Sequence, residues 1–354
     1  MKLLMLYGNP AAHYDDYRLF TSLGFEVASP FKHLGQPWLI HRPEIEEPEE
    51  FSYLQDIMRR IPGLKEPREE YLQDKGLDEY GAPLALPPDF FAGFDVVVVL
   101  LVSNWIVRYW PSMTESSKRP LIIWRSGEGM PWQDYNLRFF RQRGLKVVRS
   151  SVTERTIPHN IGTDAVIRWS TDPNEWKGWD GTGKHVLVVS RCINRDNRQC
   201  EEVLQLADRF TVRVVGPGND GDGRFYPVGQ RTYNRLRRDY RKARVYFDAN
   251  AKPAPYTGTF REAWMTGTPV VAVGPQRGGW RGLGTYELPE LIEDGVNGFC
   301  SDDMGELESD ISRLLDDQDL ARRIGEAGRK RATEIFGREV VTEDWRRFFG
   351  RYLT

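Results

Sequence analysis

Residues 251–273, AKPAPYTGTFREAWMTGTPVVAV, hold the groups in this chain best arranged to do chemistry. Pro253 and Pro255 keep the approach extended. Thr257, Gly258 and Thr259 can cap a helix, and Gly258 lets another group come close to the backbone. The spacing predicts a short helix over 260–265, with good formers at Arg261, Glu262 and Ala263. Gly267 sits where a helix ends. Val270, Val271, Ala272 and Val273 then read as a buried parallel strand, apolar on both faces. A helix N-terminus with free N–H groups, reached through a Gly/Thr loop, is a site for an anion such as a phosphate.

The elements that must hold this stretch repeat a β-α-β rhythm. Residues 2–7 form a first strand, Gly8-Asn9-Pro10 a turn, 14–23 a helix, and 24–27 open a second strand. Residues 94–102 (FDVVVVLLV) are a central parallel strand with a polar exit at Ser103 and Asn104. Residues 119–124 are the next strand, ending in Arg125-Ser126-Gly127-Glu128, and 145–149 another. Residues 171–183 (TDPNEWKGWDGTG), rich in Gly, Pro and Asp, read as a linker between domains. The rhythm restarts at 185–190. A strand over 210–215 ends in Gly216-Pro217-Gly218. Residues 31–88 are less regular, with an acidic run (Glu44, Glu46, Glu47, Glu49, Glu50) expected to be a solvated face.

A chain of 354 residues accommodates two domains of about 150–200 residues each. A net charge of −2 excludes a wholly basic nucleic-acid coat. Residues 233–244 (YNRLRRDYRKAR) are a local exception. This basic helix is either a solvated face or a contact for an anionic acceptor such as DNA or a phospholipid headgroup. Cys192, Cys200 and Cys300 lack metal spacing and read as ordinary thiols of a reducing compartment. The longest apolar run, 96–102, is too short to span a membrane. The first residues read as a strand rather than a signal peptide. The expectation is a soluble, cytoplasmic protein.

The segment Pro255-Tyr256, Glu262-Ala263 and Thr266-Gly267-Thr268-Pro269-Val270-Val271 resembles the donor-binding signature of GT-B glycosyltransferases, above all the retaining family 4 type. Residues 288–299 (LPELIEDGVNGF) and two helices over 306–316 and 319–336 resemble the later parts of that donor domain. The resemblance covers about 186–336 and is only topological before it. It implies an α/β GT-B fold, two Rossmann-like domains facing across a cleft. An acceptor-binding domain would span 1–170 and a donor-binding domain 184–337, with the last helix, 338–354, packing back on the first.

The resemblance implies a glycosyltransferase moving a sugar from a nucleoside-diphosphate sugar, UDP as first guess, to an acceptor hydroxyl. It implies retention of configuration and no metal or other cofactor. Glu262 would hold the nucleotide ribose. Arg191, and Arg195 or Arg198 in place of the family's lysine, would hold the diphosphate, helped by Thr257, Gly258 and Thr259. Gly216 and Gly218 match a Gly-x-Gly of the donor site. Gly8, Asn9, Ser103, Asn104 and Ser126 are candidates for acceptor or sugar contacts; for His13 a plain surface position is the stronger reading.

The chain departs from the family pattern at two points: Ala254 replaces the first glutamate of the Glu-x7-Glu pair, and Ser126 replaces a histidine, with Arg125 and Glu128 as candidate substitutes for which loop salt-bridging is the stronger reading. Asp220-Gly221-Asp222 is discounted as a metal motif because GT-B enzymes neutralise the diphosphate with cations and a helix. Two alternatives remain: transfer to hydroxymethylated DNA bases, suggested by the basic helix, and a degenerate, non-catalytic GT-B binding protein, suggested by Ala254.

Overall fold

The computed structural model describes residues 1–7, 10–28, 85–127, 129–190, 200–216, 218–219, 223–229, 231, 233–249, 254–279 and 282–353. The described chain forms two compact units. The first runs to Ile167 and takes in Thr342–Thr354; the second is Arg168–Val341.

The first unit is built on β1 (Lys2–Tyr7), α1 (Pro10–Ser22), β2 (Glu26–Ala28), α2 (Pro88–Phe91), β3 (Val96–Leu100) and α3 (Ser103–Glu115). It continues with β4 (Leu121–Arg125), α4 (Pro131–Arg141), β5 (Lys146–Arg149), a 3-10 turn at Val152–Thr156, and β6 (Ala165–Val166). All strands run parallel in the order β2-β1-β3-β4-β5-β6. The Val96–Leu100 run is fully buried, as expected of a strand covered on both faces. The chain first moves outward from β1 to β2, then returns to the other side of β1 at β3. That reversal is where open α/β sheets leave a crevice at the carboxyl ends of their strands.

The second unit repeats the plan with β7 (Gly183–Val189), α5 (Cys200–Ala207), β8 (Val212–Val215), β9 (Tyr226–Gly229), α6 (Tyr233–Lys242) and β10 (Ala243–Asp248). It continues with α7 (Gly258–Thr266), β11 (Val270–Val273), α8 (Pro275–Gly278), α9 (Leu288–Leu291), β12 (Phe299–Ser301), α10 (Met304–Asp316) and α11 (Gln318–Phe336). Its parallel order is β12-β11-β10-β7-β8-β9, so the reversal falls between β7 and β10. A last helix, α12 (Arg338–Tyr352), begins in this unit and from Thr342 belongs to the first. There its Trp345 ring meets Phe20 at 5.0 Å and its Phe349 ring meets Phe25 at 4.8 Å.

The α/β GT-B architecture expected from the sequence is the one observed, as two parallel six-stranded sheets with interleaved helices. The reading of 171–183 as a linker is corrected. This segment packs within the second unit: Trp176 is 2% exposed in its core, and Trp179 donates its indole N–H to the Ala243 carbonyl at 2.7 Å. The Gly, Pro and Asp residues there make turns, and the two tryptophans supply apolar area that a free linker would lack. Among the described residues no helix is long and apolar enough to cross a membrane.

Helix α7 is held close to α11 by two glycines of α11. A Cβ on Gly325 would stand 2.1 Å from the Gly267 carbonyl oxygen, and one on Gly328 would stand 2.4 Å from the Trp264 indole nitrogen. Backbone cannot yield as a side-chain tip does. Gly325→Ala is therefore expected to lower stability by about 1–3 kcal/mol, measured by urea unfolding. Alanine at the exposed Gly350, where nothing lies within 4 Å, should not lower it.

Candidate donor site

The candidate site is built at the reversal of the second sheet, where β7 and β10 end side by side. The exit of β7 leads into 191–199, so Arg191, Arg195 and Arg198 lie outside the described residues, as do Gly8 and Asn9 of the first unit. The exit of β10 is Asp248, 2% exposed. Residues 254–257 lead into α7.

Thr257 caps α7. Its hydroxyl oxygen accepts from the Phe260 N–H at 2.9 Å and its proton goes to Asp248 Oδ2 at 2.8 Å. Tyr246 Oη lies 3.2 Å from the same carboxylate oxygen and 2.9 Å from Thr259 Oγ1. One buried carboxylate thus ties the strand exit to the first turn of the helix. The N–H groups of Gly258 and Thr259, the first two positions of the helix, have no carbonyl four residues back within it. Together with the helix dipole they favour an anion at this end. Gly258 is exposed, and a Cβ there would meet nothing closer than Arg261 at 3.6 Å, so glycine is not required by local packing.

Glu262 is half-buried on the next turn of α7. Tyr240 of α6, fully buried, points its hydroxyl at Glu262 Oε2 (3.3 Å) and at the Thr259 carbonyl (3.2 Å). Burial, and then the Glu262 charge, push the Tyr240 phenol well above its usual range, so it stays a donor to this carboxylate. Burial and the Asp248 charge do the same for Tyr246. Helix α7 ends as expected at Gly267, with φ of 88° in the left-handed region.

At the exit of β8, Gly216 has φ of 137° and Gly218 of 70°, both in the region that favours glycine. Buried Asn219 donates to the Gly216 carbonyl at 3.0 Å and to the Ser190 carbonyl at 2.5 Å, clamping the exits of β7 and β8 together. The expected Gly-x-Gly and the expected helix cap therefore flank the same sheet reversal. Arg277, in the stretch after β11, is held by the Asp302 backbone carbonyl (2.7 Å from Nε) and by Glu202 (3.3 Å from Nη1).

Beneath the site, Arg261 donates to the Ser170 carbonyl and to Thr171 Oγ1, both at 2.7 Å. Arg168 makes a two-pronged pair with Glu287, at 2.7 and 2.5 Å. These side chains fix α7 and the loop before it from below. The Tyr240–Glu262 contact and the bonds of Arg261 escape sequence reasoning because their partners lie 22 and about 90 residues away along the chain. The one available signal is Asp248, a carboxylate at the end of an apolar strand.

Two expectations for single residues, Ser126 and Arg125, are corrected. Ser126 is 1% exposed and gives its hydroxyl proton to buried Glu154, so it offers nothing to a ligand. In the basic helix and its extension, Arg241 donates to the Lys177 carbonyl (2.6 Å), and Arg244 to the Gly181 (2.8 Å) and Leu315 (3.1 Å) carbonyls. Those two cations hold the 177–181 turn and α10 rather than a solvent-facing anion. Arg125 is likewise internal, paired with Asp16 at 2.8 Å with both side chains fully buried. At the exit of β3, Leu101 adopts φ of 62° before α3; Ser103 is fully buried and Asn104 exposed.

Residues 195–336 match the family described as glycosyl transferase-like. No curated protein matches by sequence. Among solved structures, the chain is similar to Anabaena HepE in complex with UDP-glucose, with a TM-score of 0.68 at 16% identity over 99% of this chain and 100% of that one. It is similar also to a sucrose-phosphate synthase from Thermosynechococcus elongatus, with a TM-score of 0.66 at 14% identity over 100% and 99%. For TarM the values are 0.64 and 12% over 98% of each chain. Residues 195–336 are thus a glycosyl transferase-like region, in a chain with the two-domain α/β GT-B fold. The match begins at Arg195 and ends at Phe336, and so takes in the elements from α5 to α11 but not β7.

Thr257→Ala removes both the cap of α7 and a partner of Asp248. It is expected to cost about 1–2 kcal/mol in urea unfolding, whereas Thr257→Ser should retain most of that stability.

Proposed function

We propose that this chain is a glycosyltransferase that takes its sugar from a UDP-sugar bound at the end of the second sheet and transfers it with retention, without a metal ion. The observation that carries the reading is the first turn of α7. Its Gly258 and Thr259 N–H groups, its cap pinned by Asp248 and the Glu262 carboxylate one turn further on converge at the sheet reversal. That pairing suits a nucleoside diphosphate: donors and dipole for phosphate, a carboxylate for ribose hydroxyls. HepE, the similar protein solved with UDP-glucose and with UDP and glucose, supports UDP as the nucleotide.

In this reading Glu262 accepts hydrogen bonds from the ribose, held in place by Tyr240. Arg191, with Arg195 or Arg198, and the α7 N-terminus take the negative charge that grows on the leaving diphosphate. The bond between the anomeric carbon and the diphosphate oxygen breaks. The acceptor oxygen bonds to that carbon on the same face, and its proton passes to the departing phosphate oxygen. No protein nucleophile is needed, which fits Ala254 and Ser126 at positions where the family carries polar side chains.

Incubation with a panel of UDP-, GDP-, ADP- and TDP-sugars, read by mass spectrometry, should release UDP from one sugar. Arg191→Ala should lower kcat/KM by about a hundredfold. Glu262→Ala and Tyr240→Phe should weaken UDP binding by calorimetry, the latter by about fivefold, a loss of about 1 kcal/mol. Turnover should survive EDTA. Release of another nucleotide, full activity in the Arg191 and Glu262 variants, or loss of turnover in EDTA would each refute the corresponding part.

A further inference from the structure

Helix α4 of the first unit carries a row of exposed aromatic side chains that takes no part in the contacts of the donor site described above. Trp132 is 48%, Tyr135 47% and Phe139 49% exposed. Their i, i+3, i+7 spacing puts them on one face, along about 10 Å of helix. The opposite face is the anchored one. Leu137 is fully buried in the core, Phe140 packs on Trp110 at 5.0 Å, and Asp134 is paired with Arg149. The row is therefore a surplus of apolar surface on a helix whose inner side already satisfies the fold.

Along the stretch that carries the row the exposed charges are of one sign. Over residues 131–160 the exposed ionised side chains are Arg138, Arg143 and Arg155. The two carboxylates of the stretch, Asp134 and Glu154, are both fully buried. In a chain of net charge −2 this stretch is locally cationic. The guanidinium of Arg138 lies 4.1 Å from the centre of the Tyr135 ring, and that of Arg143 lies 3.4 Å from the centre of Phe139. His159, exposed on the turn beside the helix, meets Tyr135 edge-on at 5.7 Å.

We infer that the outer face of α4 docks on an anionic lipid bilayer, with Trp132, Tyr135 and Phe139 in the headgroup–acyl boundary and Arg138 and Arg143 on lipid phosphates. Aromatic rings flanked by arginines on a helix lying flat at a surface are what that boundary selects. Nucleic acid is a poorer occupant, because a guanidinium already covers one stacking face of both Tyr135 and Phe139. A second copy is poorer too, since a two-fold contact would set the Arg138 and Arg143 groups of the two chains against each other.

The test is sedimentation of the whole chain with vesicles of phosphatidylcholine alone, and of phosphatidylcholine with phosphatidylglycerol. Binding is expected to the anionic vesicles, and to weaken as salt is raised. The triple variant Trp132→Ser, Tyr135→Ser, Phe139→Ser should bind at least about tenfold more weakly. Arg138→Gln with Arg143→Gln should remove the preference for anionic lipid; these exposed changes keep the test open if the triple variant does not fold. UDP-sugar turnover in solution should be unchanged in the arginine variant, which separates this face from the donor site. No vesicle binding, or equal binding by the variants, would overturn the inference. So would capture of an oligonucleotide instead of vesicles, or dimerisation in sedimentation velocity that the triple variant abolishes.

Discussion

The candidate site hangs on a carboxylate that water does not reach. Asp248 sits at the end of β10, 2% exposed, and accepts from the hydroxyls of Thr257 and Tyr246. A charge so placed is tolerated only when it is hydrogen-bonded, and leaving it unpaired would cost several kcal/mol. The requirement works in both directions. The carboxylate needs the helix cap, and the cap is held to the strand by the carboxylate. The free N–H groups of α7 therefore point from a fixed place, which is what electrostatic stabilisation of a leaving diphosphate demands.

Support for that helix comes from three further sides. Tyr240 reaches it from α6, Arg261 ties it down to residues 170 and 171, and the glycines of α11 let it lie against its neighbour with no side chain between. Each contact uses a polar group or the lack of a Cβ, so each is specific to one placement. The site residues themselves are few, and most of the construction around them keeps one short helix still.

Much of this was legible in the sequence. Gly267 marked the end of α7 and adopts the left-handed backbone expected there. The apolar runs at 96–100 and 270–273 became buried strands because nothing but a doubly covered sheet suits them. Gly216 and Gly218 fell at a strand exit in conformations that favour glycine. What could not be read were pairs distant along the chain. Ser126 looked like a loop hydroxyl until Glu154, 28 residues on, proved to take its proton. Trp176 and Trp179 lay among turn residues that read as a linker, and only the folded core shows where their area goes. Arg241 and Arg244 looked like a charged face, yet the groups that hold them are backbone carbonyls, which carry no signature in sequence.

Helix α12 completes the first unit from the far end of the chain. Trp345 is fully buried against Phe20 and lies 5.0 Å from the guanidinium of Arg125, whose pair with Asp16 is itself sealed from solvent. On the ribosome, strands β1 to β6 emerge long before that lid exists. Through the whole synthesis of the second unit, Phe20 and Arg125 lack the Trp345 ring that packs on them in the finished fold. Domains usually mature in the order they are made. Here the order is inverted, because the unit translated first is the one that must wait for the last residues to close it.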